Sequence, residues 1–228
     1  MAIDASTEAC SVALIFNGKT YHQFEICPQS HSTVLLPMID QVLAQAACTL
    51  NDLDGLIYGR GPGSFTGVRI GIGVVQGLAF SANLSVVGVS TLRTMAQQAY
   101  EKNQQTHVIA AIDARMSEVY TSYFAVNEQG LMQEQLAEVV LPPNELTEYY
   151  QGLNTPVYGV GTGWDAYKEV LAALNSNSEQ IDVLYPDAQA MLALGVDDFN
   201  KGLSVSAEFA QPVYVRDTVS WKKLPGRE

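Results

Sequence analysis

Two aspartates and the turns beside them are the residues of this chain whose types and spacing could do chemistry. Asp4 closes the apolar stretch Ala2-Ile3-Asp4-Ala5, and the same four letters return as Ala111-Ile112-Asp113-Ala114. In each copy an apolar strand ends at the aspartate, a short turn follows, and a second strand begins (10–16 and 119–124). A duplicated unit of this kind can cradle phosphates between two lobes, with both carboxylates placed to hold magnesium through oxygen ligands. Turns that face phosphate need Gly, Ser or Thr, so that backbone N–H groups can approach the anion. Ser6-Thr7 meets that need in part, although Glu8 adds like charge. Arg115-Met116 in the second turn does not meet it, and no glycine is present there. The expected cleft, Asp4, Ser6, Thr7, Asp113, Gly161 and Gly163, is therefore a degenerate one, and tight catalytic ATP binding is not expected.

Other chemical motifs fit less well. Gly59-Arg60-Gly61-Pro62-Gly63-Ser64-Phe65-Thr66-Gly67 lacks the lysine of a G-x-x-x-x-G-K-[ST] phosphate loop and the spacing of G-x-G-x-x-G. Gly159-Val160-Gly161-Thr162-Gly163 before a helix could bind an anion, but a plain tight turn is the simpler reading. The histidines are His22, His31 and His107, with no H-x-x-x-H or H-E-x-x-H pair, and there is no G-x-S-x-G elbow. Cys10, Cys27 and Cys48 show no C-x-x-C spacing, so buried small hydrophobes in a reduced compartment are expected. No metal ligands and no catalytic residues are assigned.

The elements that must position these residues read as α/β. Strands at 1–4, 10–16 and 20–26 open the chain, the last two joined by Asn17-Gly18, a strong hairpin signal. The first strand begins at Met1 itself, which leaves room for native residues ahead of it. A helix at 32–47 follows, with Pro37 pointing to a start near that residue. Its apolar residues exceed one stripe, so a second partner is needed beyond the sheet. The glycine-rich turn enters a helix at 64–82 with Ser64 as its N-cap. Gly67, Gly71, Gly73 and Gly77 lie inside that helix, each disfavoured by about 1 kcal/mol against alanine. Close approach of another backbone would offset that loss. A strand at 85–89 and a helix at 91–102 complete a first lobe, 1–104. A second lobe spans 105–217, with helix 187–200 a candidate to pack back on the first, and 218–228 reads as a flexible tail.

A chain of 228 residues with 47% hydrophobic and 16% charged residues can bury a sizeable core. Its net charge of −12 repels nucleic acid and anionic membrane, so a role on RNA would require a basic partner. No signal peptide and no unbroken apolar run of membrane-spanning length stands out, so a cytoplasmic protein is expected.

With these residues in view, the chain resembles the bacterial TsaB (YeaZ) family of tRNA threonylcarbamoyladenosine biosynthesis proteins over essentially its whole length. The resemblance rests on Ala2-Ile3-Asp4-Ala5-Ser6-Thr7, His31-Ser32 with Leu35-Leu36-Pro37, the stretch from Gly59 to Arg69, Asp113-Ala114-Arg115, and Pro212-x-Tyr214-x-Arg216. It implies the actin-like ATPase superfold of two lobes, without a catalytic centre of its own. It further implies a heterodimer with the transferase TsaD through the first two helices, the ATPase TsaE as a further partner, and a homodimer when alone. Transfer RNA would be reached only through the complex, and ATP or ADP, if bound at all, would lie at the partner interface. Leu35, Ile39, Val42, Gly67, Val68, Gly71, Ile72 and Val75 are the expected partner contacts. The alternative is a stand-alone ATP-dependent phosphotransferase or ATPase, which would bind magnesium-ATP through Asp4 and Asp113.

Overall fold

A computed structural model describes residues 1–172, 174, 179–180 and 182–216. The tail expected at 218–228 lies outside the described residues. The chain opens with β1 (Ala2–Asp4), β2 (Ala9–Phe16) and β3 (Lys19–Ile26), then α1 (His31–Ala46), β4 (Gly55–Gly59), α2 (Phe65–Ala82), β5 (Ser85–Val89) and α3 (Thr91–Asn103). It continues with β6 (His107–Asp113), β7 (Val119–Val126), β8 (Met132–Glu134), β9 (Val139–Leu141), α4 (Leu146–Tyr149) and β10 (Tyr158–Val160). Last come α5 (Thr162–Ala166), α6 (Lys168–Ala172), β11 (Glu179–Gln180) and α7 (Ala188–Asn200).

The strands form two sheets, ordered β3-β2-β1-β4-β5 and β11-β10-β6-β7-β8, with β9 added on β7. Read from its other edge, the second order is β8-β7-β6-β10-β11, and each strand then matches one of the first sheet. In both, the central strand ends at the aspartate. It pairs antiparallel with the next strand (Asp4↔Ser11, Asp113↔Val119) and parallel with a later one. The four-letter echo is thus one sign of a duplicated five-strand topology.

Local chemistry explains the joints. Asn17 and Gly18 have φ of 51° and 73°, the pair of positive values that a two-residue hairpin turn compatible with strand twist requires. Ser64, Ser90 and Asp187 each cap a helix, accepting from the backbone N–H of Gly67, Arg93 and Gln189. Pro37 does not mark a helix start, because α1 already begins at His31. Sitting seventh in the helix and exposed, Pro37 removes one backbone bond, to the Thr33 carbonyl, and the helix runs through it.

Each lobe lends a helix to the other. Leu92, Met95, Ala96 and Ala99 of α3 share a buried cluster with Val108, Ala110 and Phe124 of the second sheet. A boundary at 104 leaves this helix in the first lobe by sequence, but its apolar face belongs to the second. Ala188, Met191, Leu192 and Leu194 of α7 pack on Ala2, Ala13, Ile57 and Val87 of the first sheet. Helix α2 is long and apolar enough to cross a membrane by length and composition, although a third of it is buried in the protein. It is the crossover between parallel strands β4 and β5, with Val68, Ile72, Val75 and Ala79 in the first-lobe core.

Candidate functional site

The two aspartates stand at equivalent points of the two sheets, and neither is a free ligand. Asp4 is buried, with Ser6 Oγ 2.9 and 3.0 Å from its two oxygens and the Ser6 N–H donating at 3.0 Å. Thr91 Oγ1 in turn donates to Ser6 Oγ at 3.0 Å. The carboxylate fills the space above Gly59, where a Cβ would lie 1.8 Å from Asp4 Oδ2. Burial raises the Asp4 pKa to about 6 against the pull of the Ser6 hydrogen bonds. An acid in this setting is a packed structural group, with both oxygens already engaged.

Asp113 is half-exposed and bound to its own turn. Arg115 donates from Nη1 to Asp113 Oδ2 at 3.1 Å and from Nη2 to Glu8 Oε1 at 3.1 Å. Glu8 belongs to the first turn and Arg115 to the second, so this guanidinium bars the gap that two phosphate-binding turns would share. Below it lies a cavity of about 400 Å³ lined by Glu8, Asp113, Arg115, Thr162, Asp165 and Ala166. Arg115, Met116 and Ser117 have φ of 62°, 56° and 59° in succession, a region that favours glycine. The residues present do not fit a magnesium–triphosphate cradle. One aspartate is enclosed, the other is paired to arginine, and the second turn presents side chains where backbone N–H groups are needed.

The remaining expected cleft residues are positional. Thr7 is buried and its carbonyl accepts from His31 Nε2 at 2.6 Å. Gly161 has φ of 100°, and a Cβ there would lie 2.2 Å from the Ala111 carbonyl; at Gly163 it would lie 2.9 Å from the Ala111 carbonyl carbon. Both glycines let the chain after β10 close onto β6. They do not present N–H groups to an anion as a long helix start does, since the helix that follows is broken at Tyr167.

The expected partner contacts require a correction. Leu35, Ile39, Val42, Val68, Ile72 and Val75 are all at most 5% exposed and belong to the core beneath the first sheet. Gly67 and Gly71 face inward as well. A Cβ on Gly67 would lie 2.2 Å from the Ala5 carbonyl, and one on Gly71 would lie 3.5 Å from Ala5 Cβ. These two glycines admit the chain's own first turn. Gly73 and Gly77 meet nothing within 4 Å and lie on the exposed side of α2. Leu36 on α1 is 47% exposed and Phe80 on α2 is 80% exposed, while Val34, Leu43, Ile70, Val74 and Leu78 are half-buried at the edge of the core. A helix with apolar residues on nearly every face gives no periodic signal of which side meets the sheet, and only the structure separates the two.

Two features escaped the sequence reading. The Glu138 side chain is only 6% exposed, takes a hydrogen bond from Ser90 Oγ, and pairs with Arg60 Nη2 at 3.3 Å. Burial pushes its pKa up, against the charge of Arg60. It ties the glycine-rich turn to the second lobe, and nothing in spacing marks it. The second feature is what the segment around Pro212-x-Tyr214-x-Arg216 touches, which the motif itself does not show. Val213 N–H donates to the Arg60 carbonyl, Gln76 Nε2 to the Ala210 carbonyl, and the Arg69 guanidinium to Tyr214 Oη at 2.9 and 2.8 Å. Arg69 also lies 3.7 Å from the Phe65 ring centre, and Arg216 reaches the Ala114 carbonyl at 3.2 Å.

Comparison with known proteins agrees with this architecture. Residues 20–223 match the family described as TsaD: tRNA N6-adenosine threonylcarbamoyltransferase. The chain is 47% identical over 228 residues to the tRNA threonylcarbamoyladenosine biosynthesis protein TsaB of Escherichia coli (strain K12), covering 100% of this chain and 99% of that one. It is 43% identical over 235 residues to the protein of the same description from Haemophilus influenzae, covering 100% and 98%. Among solved structures, YeaZ from Pseudomonas aeruginosa is similar with a TM-score of 0.82 and 41% identity, over 93% of this chain and 98% of that one.

Proposed function

The chain belongs to the TsaB (YeaZ) branch of the TsaD family, and from that premise we propose that it is a non-catalytic platform subunit in the formation of threonylcarbamoyladenosine on tRNA. In this reading it binds and supports the transferase TsaD, with the ATPase TsaE joining them, in the cytoplasm. The observation that carries the proposal is the set of exposed or half-buried apolar residues on α1 and α2 together with Gly73 and Gly77, where an added Cβ would meet nothing within 4 Å among the described residues. Gly73 and Gly77 allow a partner helix to approach at backbone distance, which offsets the helix propensity lost at those positions. The proposed interface is Leu36, Leu43, Ile70, Gly73, Val74, Gly77 and Phe80, all exposed or half-buried where Leu35, Ile39 and Val68 are buried. A second copy occupies the same surface when TsaD is absent. The −12 charge supports contact with tRNA only through the complex. The obstructed cleft supports ATP or ADP binding at the partner interface in preference to the turns.

Reconstitution tests the proposal: tRNA modification by TsaD and TsaE is followed with and without this protein. Product formation independent of the protein overturns it. Gly73→Leu and Gly77→Leu should abolish co-elution with TsaD on size-exclusion chromatography while leaving the isolated fold intact. The alternative of a stand-alone ATPase requires a calorimetric signal with magnesium-ATP that disappears in Asp113→Ala.

A further inference from the structure

Cys10, Cys27 and His31 come together although no spacing in the sequence joins them. One ligand atom from each lies within 4.8 Å of the other two, and all three residues are buried. Each arrives by a different route. Cys10 lies on β2 opposite Glu25 of β3. Cys27 follows β3, continuing the ladder by donating its N–H to the Glu8 carbonyl at 2.9 Å. His31 is the first residue of α1.

We propose that Cys10, Cys27 and His31 form a binding site for a single zinc ion that clamps the start of α1 to the β2–β3 hairpin. The donor set is two thiols and one imidazole, the ligands zinc prefers. Two thiolates and Zn²⁺ sum to zero charge, which suits a site lined by the first-lobe core. Zinc bonds of about 2.3 Å to sulfur and about 2.0 Å to nitrogen place tetrahedral ligand atoms roughly 3.5–3.8 Å apart. The three atoms need to draw in by roughly 1.3 Å at most.

The hydrogen bond of the imidazole decides which nitrogen it can offer a metal. A carbonyl only accepts, so the 2.6 Å contact fixes the proton on His31 Nε2, donating to Thr7 O, and leaves the lone pair on Nδ1. With Nδ1 as the ligand, the Nε2–H bond to Thr7 would be the outer hydrogen bond that ligating histidines make. A disulfide explains the pair less well. With Cys10 opposite Glu25, Cys27 is its diagonal neighbour, and diagonal Cα atoms stand about 7–8 Å apart, beyond the usual disulfide range of about 4.4–6.8 Å. A metal spans that gap. Pro28, Gln29 and Ser30, which join Cys27 to His31, are exposed, so the chain beside the site runs along the surface.

The test uses the full chain, stripped of metal and kept reduced, with Co²⁺ as the optical probe. A sulfur-to-cobalt charge-transfer band should saturate at one equivalent and be displaced by Zn²⁺. Cys48→Ser should keep the band, whereas Cys10→Ser, Cys27→Ser and His31→Gln should each weaken binding by at least about tenfold. Zinc should raise the melting temperature of the wild type and of Cys48→Ser, but not of the other three. Should a ligand variant fail to fold, ¹¹³Cd NMR of the wild type decides, since two sulfur ligands shift the resonance far from that of an oxygen-only site. No charge-transfer band, a band that survives loss of both Cys10 and Cys27, or an oxygen-only cadmium shift overturns the proposal.

Discussion

The two lobes share one strand topology and differ in what connects the strands. Between β3 and β4 the first lobe places a helix of 16 residues, and between β4 and β5 one of 18 residues. The matching connections of the second lobe are a short 3₁₀ turn with the four-residue α4, and the broken pair α5 and α6 of five residues each. The second lobe's short pieces are covered by its own core, where Leu146, Trp164 and Leu171 are buried. The first lobe's long helices bury one side and expose the other, where Leu36, Gly73, Gly77 and Phe80 lie among polar residues. A duplicated fold has thus kept its strand order in both halves and placed long helices in only one. The turns diverge in parallel: the first retains Ser6 and Thr7, while the second carries three consecutive left-handed residues with none of them glycine.

That contrast can be broken experimentally, and the largest effect is expected where both lobes press a glycine on the central strand. Gly67→Ala places a Cβ 2.2 Å from the Ala5 carbonyl, and Gly161→Ala does the same to Ala111 at a positive φ. Each should lose about 3 kcal/mol in urea unfolding. An unchanged midpoint in either would show that strand and helix separate more readily than the packing implies.

The aspartates should differ through pH. Asp4 holds its proton up to about pH 6 in the fold, but only to about 3.9 when unfolded. Ionised Asp4 therefore opposes folding: the loss is absent below about pH 4, grows as pH rises to 6, and is complete above it. Asp4→Asn should gain stability relative to wild type between pH 4 and pH 8, by about 3 kcal/mol in total. Asp113→Asn, half-exposed and paired to an exposed arginine, should change stability by under about 1 kcal/mol at any pH. Matching pH profiles for the two variants would dissolve the distinction.

Gly73→Ala meets open space and should stabilise the isolated chain by about 1 kcal/mol, the helix propensity that an uncrowded glycine forgoes. The smallest effect is expected at Ser117→Gly. Relieving one left-handed residue should add about 0.5 kcal/mol, visible as a small rise in thermal midpoint.

Much of this was legible in the sequence because the signals are local. Asn17-Gly18 specifies its turn, Ser64 and Asp187 specify helix starts, and Ala-Ile-Asp-Ala specifies the repeat. Arg115-Met116 already announced an obstructed turn, although the ion pair to Glu8 that closes it spans 107 residues. What local reading could not supply was direction. Val68 and Ile70 are equally apolar, and only the sheet beneath α2 makes the first core and the second surface. Gly67 and Gly73 have the same intrinsic propensity, so the opposite reasons for their presence emerge only from what a Cβ would touch. Glu138 with Arg60, and Cys10 with Cys27 and His31, are assembled by topology, and motif spacing is blind to both groups.

The strap after residue 210 carries a consequence in time. Its bonds to Tyr58 and Arg69 join residues 153 and 145 positions apart, and Arg216 then reaches the second lobe's turn. Contacts of that span close late, since a long stretch of chain must be ordered before they are rewarded. On the ribosome both sheets are complete before the strap is made, so the two halves are free to settle against each other first. The last described residues then act as a latch, fixing a geometry that the earlier ones have already found.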